Sequence, residues 1–354
     1  QPNSFQRVQE RLPELRFDLL PLSIGNGFYE RFNASVAVLR EDPPLGGPRL
    51  SSNRFDAYYS LSRPFTHGDW LSFSPVAGAR VTHYVNSTGI TGTSTTTRTL
   101  GEVGFDAALR SSATWDYKNP RWKIDGLRHL LTPRMSYRYI PEAGKGAGHI
   151  AAIDRRTFAT YLPPLSLGDQ RNLDDLTATN TLRIGFDNTL QTRDAVYGSR
   201  DLLTFNIAND FRFQRAPGER DVSAVHTELA LAPAAWVSVD VYQSFAPQSF
   251  PLREFNSGIT LRDGAVWSAR FSNNFLRGEI QDYQLDARVR LNETYDALSR
   301  LHYDARNRRF NEQAYGLAQN LGNTWLVSYI VSLYSGPRRE SHFGLNVQIQ
   351  ARGF

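Results

Sequence analysis

Phe343-Gly344-Leu345-Asn346-Val347-Gln348-Ile349-Gln350-Ala351-Arg352 is apolar at every odd position and glycine or polar at every even one. Successive side chains of a β-strand point to opposite faces, so this run reads as a strand with one oily and one wet side. Tyr283 to Leu291 repeats it: Tyr283, Leu285, Ala287, Val289 and Leu291 share one face, and Gln284, Asp286, Arg288 and Arg290 the other. Working outward, Trp325, Val327, Tyr329, Val331 and Leu333 line one side of a penultimate strand. Val237, Val239 and Val241 alternate with Ser238, Asp240 and Tyr242; Leu203, Phe205 and Ile207 with Thr204 and Asn206; and Leu182, Ile184 and Phe186 with Arg183, Gly185 and Asp187. Val103, Phe105, Ala107 and Leu109 add another copy. One such run is weak evidence, but a dozen in one chain predict an all-β architecture.

Turn signals lie between the runs: Pro217-Gly218, Asp263-Gly264, Arg277-Gly278, Asn307-Arg308 and Gly322-Asn323. The pattern predicts about seventeen strands, each of roughly the length a tilted membrane-spanning strand needs. Helical periodicity is nearly absent, the best candidate being a turn or two at Ala151 to Thr157. Arg and Asp inside long strands need a wet interior, which a large antiparallel transmembrane β-barrel supplies, alone or as part of a larger one. A sandwich would rarely use so many strands without a composition break, and no repeat of propeller length is visible. The barrel reading takes in residues 1–354 as one domain. It puts the tight turns on the periplasmic side and the longer links, 89–97, 118–127 and 141–179, outside. The last link contains Pro163-Pro164 and Gly168-Asp169-Gln170-Arg171-Asn172, and a link of that length is a functional loop or an interior plug.

Composition agrees. No apolar run approaches the ~20 residues of a membrane helix, whereas a barrel takes its apolar residues at every second position. There is no cysteine, hence no disulfide framework and no thiolate metal site. The net charge of +5 is spread along the chain among acids, which does not point to nucleic acid. Basic residues are almost all arginine, with lysine only at 118, 123 and 145. That bias reflects either genomic base composition or bidentate binding of phosphate-bearing lipid.

Several segments go further. His129-Leu130-Leu131-Thr132-Pro133-Arg134-Met135-Ser136-Tyr137-Arg138-Tyr139-Ile140-Pro141 resembles a strand of the LptD family of lipopolysaccharide-assembly outer-membrane proteins. Leu12-Pro13-Glu14, Leu167-Gly168-Asp169-Gln170-Arg171 with Thr179 to Gly185, Tyr303-Asp304 with Tyr315-Gly316, and Gly344 to Ile349 with Arg352-Gly353-Phe354 resemble further family segments in the same order. The resemblance implies a bacterial outer-membrane translocon, of about twenty-six strands in the family, that inserts lipopolysaccharide into the outer leaflet. Sugars would pass through a polar lumen and acyl chains leave by a lateral seam between the first and last strands. It also implies an LptE-like plug lipoprotein, periplasmic bridge proteins and the barrel-assembly machinery as partners. It matches the C-terminal part of the family barrel, so the family's N-terminal periplasmic jellyroll is not expected in residues 1–354.

The lumen candidates are Arg183, Asp187, Asp240, Asp286, Arg288 and Arg290, a polar track for sugar and phosphate; for any one of them, solvation of a wet interior is a sufficient role. Asn346, Gln348, Gln350 and Arg352 on the last strand are the seam candidates. Trp325, Tyr329, Tyr283 and Phe343 suit membrane interfaces. The histidines are scattered, His226 and Glu228 share only a strand face, and no catalytic or metal constellation is expected; nor is a cofactor. A passive porin or solute channel, and a structural barrel of an envelope complex, remain as alternatives.

Overall fold

The computed structural model describes residues 7–43, 47–88, 94–156, 159–215, 218–322, 324–336 and 341–351. Alternation becomes strand throughout. The segments are β1 (Val8–Gly25), β2 (Phe28–Asp42), β3 (Leu50–Ser62), β4 (Phe65–His67), β5 (Leu71–Thr88), β6 (Thr96–Leu109), β7 (Ser111–Asn119), β8 (Ile124–Ile140), β9 (Thr179–Asp194) and β10 (Gly198–Gln214). They continue as β11 (Val225–Ala234), β12 (Val237–Phe245), β13 (Leu252–Asp263), β14 (Trp267–Leu276), β15 (Ile280–Arg290), β16 (Tyr295–Asp304), β17 (Arg309–Leu321), β18 (Trp325–Tyr334) and β19 (Phe343–Ala351). All nineteen belong to one sheet, and the ladders are antiparallel. β4 extends β3 past Arg63-Pro64 in an unbroken register against β5. Only Arg110 separates β6 from β7. With each of these pairs taken as one strand, the nineteen segments among the described residues agree with the prediction of about seventeen strands. Among the described residues no helix is long and apolar enough to cross a membrane.

The chain divides into two compact units. One holds residues 1–111, 132–186 and 208–223; the other holds 112–131, 187–207 and 224–354. In the first, β2 pairs with β1 and β3, and β5 with β3, β4 and β6. In the second, β11 to β19 form a meander in which each strand pairs with the next.

Both units are inside out compared with a water-soluble sheet. On β3, Arg54, Asp56 and Tyr58 are buried, while Phe55 and Tyr59 at alternate positions are 47% and 43% exposed. On β19, Leu345 and Ile349 are 68% and 65% exposed. Fully buried charges are rare in water-soluble proteins and are then paired, and a continuous apolar face of this extent would aggregate there. A bilayer reverses the preference: apolar side chains face lipid, and every backbone polar group is satisfied in the strand ladder. Trp325, Tyr329 and Phe343 lie on the apolar face, and Tyr283 stacks on Phe271 at 6.0 Å.

Two expectations about the links fail. β14 runs between Asp263-Gly264 and Arg277-Gly278, so these tight turns sit at opposite ends of one strand, as do Asn307-Arg308 and Gly322 around β17. The same holds for the links 118–127 and 141–178 at the two ends of β8. In a meander the chain changes ends at every turn, so link length does not assign the side. The helical turn expected at Ala151 to Thr157 is also absent from the described residues there. The nearest is a single 3-10 turn at Ala147–His149, and the backbone N–H groups of Ile153 and Asp154 bond the Asp174 carboxylate instead.

Candidate functional site

Alternation delivers to the first unit's polar face a dense set of charges: Glu41 on β2, Arg54 and Asp56 on β3, Arg80 on β5, Arg98 and Glu102 on β6. The 141–178 link, here called the strap, returns across this face and is held by charge and by apolar contact. Arg54, 1% exposed, donates through Nη1 to Asp154 at 2.6 Å and Asp174 at 3.1 Å. Asp174 also accepts from the Tyr84 hydroxyl at 2.9 Å and from the Asp154 N–H at 2.8 Å. Burial pushes the Asp174 carboxyl above its ordinary value, against the opposing pull of Arg54 and of that N–H. Arg98 donates to the Leu173 carbonyl and, at 3.2 Å, to the Tyr84 oxygen. Asp154 is paired a second time, with Arg11 at 2.7 Å.

Two further clamps flank this centre. Glu102 accepts from the Leu167 N–H at 2.8 Å, the Ser166 hydroxyl at 3.1 Å and the Tyr58 hydroxyl. Glu41 accepts from Arg155 at 2.8 Å and Arg7 at 3.0 Å. Between the clamps, Leu167, Leu173 and Leu176 pack with Tyr58, Leu100 and Ile140, and Ala151 and Ile153 pack with Ala37 and Leu39. A strap held this way is a fixed plug over the face, because each carboxylate has partners on both the strands and the strap.

Gly168 lets the strap approach Tyr58. A Cβ there would lie 2.7 Å from the Tyr58 ring, and that ring is buried. Gly168→Ala is expected to cost about 1–3 kcal/mol, as overpacking of a filled core does, read as a lower denaturant midpoint for the folded protein in detergent.

The second unit's polar face is built differently. Arg270 on β14 reaches over β13 to form a bidentate pair with Asp240 on β12, at 2.7 and 2.8 Å. Gly258 leaves the room, since a Cβ there would meet the Arg270 guanidinium at 2.2 Å. Asp286, opposite Arg270, accepts from Arg300 at 2.7 Å, and Arg288 pairs with Asp296 at 2.5 Å. His302 faces Asp282 at 2.9 Å. These partners are half-exposed: the Arg270 side chain is 40% and Arg300 54% accessible. Such pairs add little stability, so the ladder is a solvated charge track, unlike the buried clamp of the first unit. Towards β17 and β18 the same face becomes less charged, with Ala314, Gly316, Ile330 and Ser332. A groove of about 470 Å³ lies there, bordered on the charged side by Arg270, Arg288 and Arg300 together with Asp286 and Glu312.

The structure therefore brings Asp240, Asp286 and Arg288 together in one track. Arg290 ends β15, exposed and opposite Asp296 in the register. Arg183 does a different job: it pairs with Asp210 at 2.7 Å and donates to the Pro163 carbonyl at 2.7 Å, fastening the strap to β9 and β10. Asp187 lies half-buried on β9. Asn346, Gln348 and Gln350 are exposed on β19, opposite Ile330, Ser328 and Leu326; Arg352 lies outside the described residues. Period two places Glu102 on the wet face of its strand but does not single it out, and it does not single out Arg54, Arg98, Asp154 or Asp174. The signal available was the run of apolar residues in a long link, Leu162, Leu165, Leu167, Leu173 and Leu176, which need a surface to cover them.

No curated protein matches this chain. Among solved structures, a mutant of the ferric enterobactin receptor PfeA from Pseudomonas aeruginosa is similar, at 10% identity and a TM-score of 0.43, over 94% of this chain and 58% of the receptor. BauA, the ferric preacinetobactin receptor of Acinetobacter baumannii, is similar at 9% identity and a TM-score of 0.29, over 92% of this chain and 68% of the other. The chain thus spans little more than half the length of the first of these. The family model for LptD, LPS transport system D, matches residues 2–341, nearly the whole chain. An all-β antiparallel sheet with its apolar side outward and its charges inward is what such a protein needs in the bacterial outer membrane, and this chain belongs to the LptD family.

Proposed function

We propose that this chain is part of a path that inserts lipopolysaccharide into the outer leaflet, with sugar and phosphate groups moving along the charged face and acyl chains released beside β19. The observation that carries the reading is the contrast on the polar faces: buried clamps fix the strap in the first unit, while the second unit keeps a solvated Arg–Asp track beside a small-residue groove. An amphiphile with a polar, hydroxyl-rich head finds a solvated track of paired charges and a less polar shelf in one groove. Asn346, Gln348 and Gln350 line the exit strand. A plug lipoprotein, periplasmic bridge proteins and the barrel-assembly machinery are the partners this role calls for, with no bond chemistry at the site.

The half-exposed track also suits a passive solute channel, since paired charges of this kind line wet pores. A photo-crosslinking residue at Ile330, in the groove, separates the two. Transport predicts a lipopolysaccharide adduct at Ile330 that disappears when supply from the inner membrane is blocked. A channel predicts no such adduct at any time.

A further inference from the structure

We infer that the turn ends of β7 to β9 carry a second, separate site, an anion-binding groove for a phosphorylated headgroup. The inference rests on the transport reading above for its biological ligand, but not for the chemistry of the groove. A groove of about 720 Å³ lies in the second unit, bounded by Asp116 and Lys118 on β7, Arg128 on β8 and Gln191 and Arg193 on β9. Three cations there face one carboxylate. Lys118 is partly engaged, 3.4 Å from Asp125. Arg128 and Arg193 are exposed and have no carboxylate partner among the described residues, unlike Arg270, Arg288 and Arg300 of the charge track. An unneutralised pair of guanidinium forks matches the oxygens of a phosphomonoester, and each can bind two at once.

The groove is held in shape. Gly126 takes a φ of +76° and carries no side chain, and the Arg193 guanidinium lies over it, with Cζ 3.8 Å from where a Cβ would stand. Thr192, buried below, accepts from the Asp125 N–H at 2.9 Å and donates to the Gly126 carbonyl at 2.8 Å, fixing β8 against β9. Arg200 ties the neighbouring turns together by donating to the carbonyls of Trp122 at 2.8 Å and Ala232 at 3.2 Å, and Trp122 stacks on Trp236 at 6.0 Å. The groove lies at the Ile124 end of β8.

The test uses the full chain in detergent and the double variant Arg128→Gln/Arg193→Gln, whose positions are exposed, with melting curves to confirm folding. Three probes are titrated: lipopolysaccharide, the same material with its lipid phosphates removed, and inorganic pyrophosphate. The expected result is a loss of about tenfold or more in affinity of the variant for intact lipopolysaccharide, little change for the phosphate-free form, and partial recovery in Arg128→Lys/Arg193→Lys. Pyrophosphate binding that the variant loses, with no binding of lipopolysaccharide in either form, would support the groove and sink the transport reading instead. Equal binding of intact lipopolysaccharide and pyrophosphate by variant and wild type would overturn the groove and leave the transport reading standing.

Discussion

Arg54→Leu is expected to destabilise the first unit by about 3–5 kcal/mol and to release the strap. The arginine is 1% exposed and pairs with two carboxylates that are themselves fully buried. Its removal leaves Asp154 and Asp174 without their shared cation in a place water does not reach, and breaking a buried pair from one side costs far more than the pair is worth. Asp154 keeps Arg11, so the strap should loosen first around Asp174 and Leu173. Limited proteolysis in detergent should then cut within 141–178 of the variant and spare the wild type. Ion conductance across a planar bilayer should rise with it. The triple change Arg54→Leu/Asp154→Asn/Asp174→Asn should recover much of the stability, because no fully buried charge is left orphaned; Arg11, which loses Asp154, is 36% exposed and keeps water. If Arg54→Leu alone leaves both proteolysis and conductance unchanged, the strap is not held by this cluster.

The second large effect lies on the opposite face. Val81→Arg, near the middle of β5 and 45% exposed on the apolar side, is expected to cost about 2–4 kcal/mol in a bilayer, as an arginine at mid-membrane does. Ser272→Arg on the polar face of β14 should cost close to nothing, since it enters a track already lined with charge. Folding equilibria in lipid vesicles measure both. Equal costs for the two would mean that the faces are not lipid and water.

Much of this architecture is legible in the chain because a two-residue period is a local property. Leu285, Ala287 and Val289 against Asp286 and Arg288 give β15 its faces with no knowledge of its neighbours, and the register then follows from turns such as Asp263-Gly264. For the same reason Asp240, Asp286 and Arg288 could be found as polar-face residues. What local period cannot give is a partner far away in sequence. Arg54 meets Asp154 across 100 residues, and Asp174 lies in a stretch with no period at all. The strand parity of Arg183 predicts a place on the polar track. Its actual role, fastening Pro163 of the strap, depends on where the link returns. The side to which each turn belongs was misread for a related reason: length is visible in the sequence, but direction comes from counting strands.

The most direct test of the account is a cysteine scan along β15, from Ile280 to Arg290, in a chain that has no cysteine of its own. Each single-cysteine protein is placed in vesicles and treated with a water-soluble maleimide that does not enter lipid. The account predicts labelling with a strict period of two: reaction at 282, 284, 286 and 288, and protection at 283, 285, 287 and 289. Equal reaction at odd and even positions would contradict it, and would mean that the apolar face of this sheet does not meet a membrane.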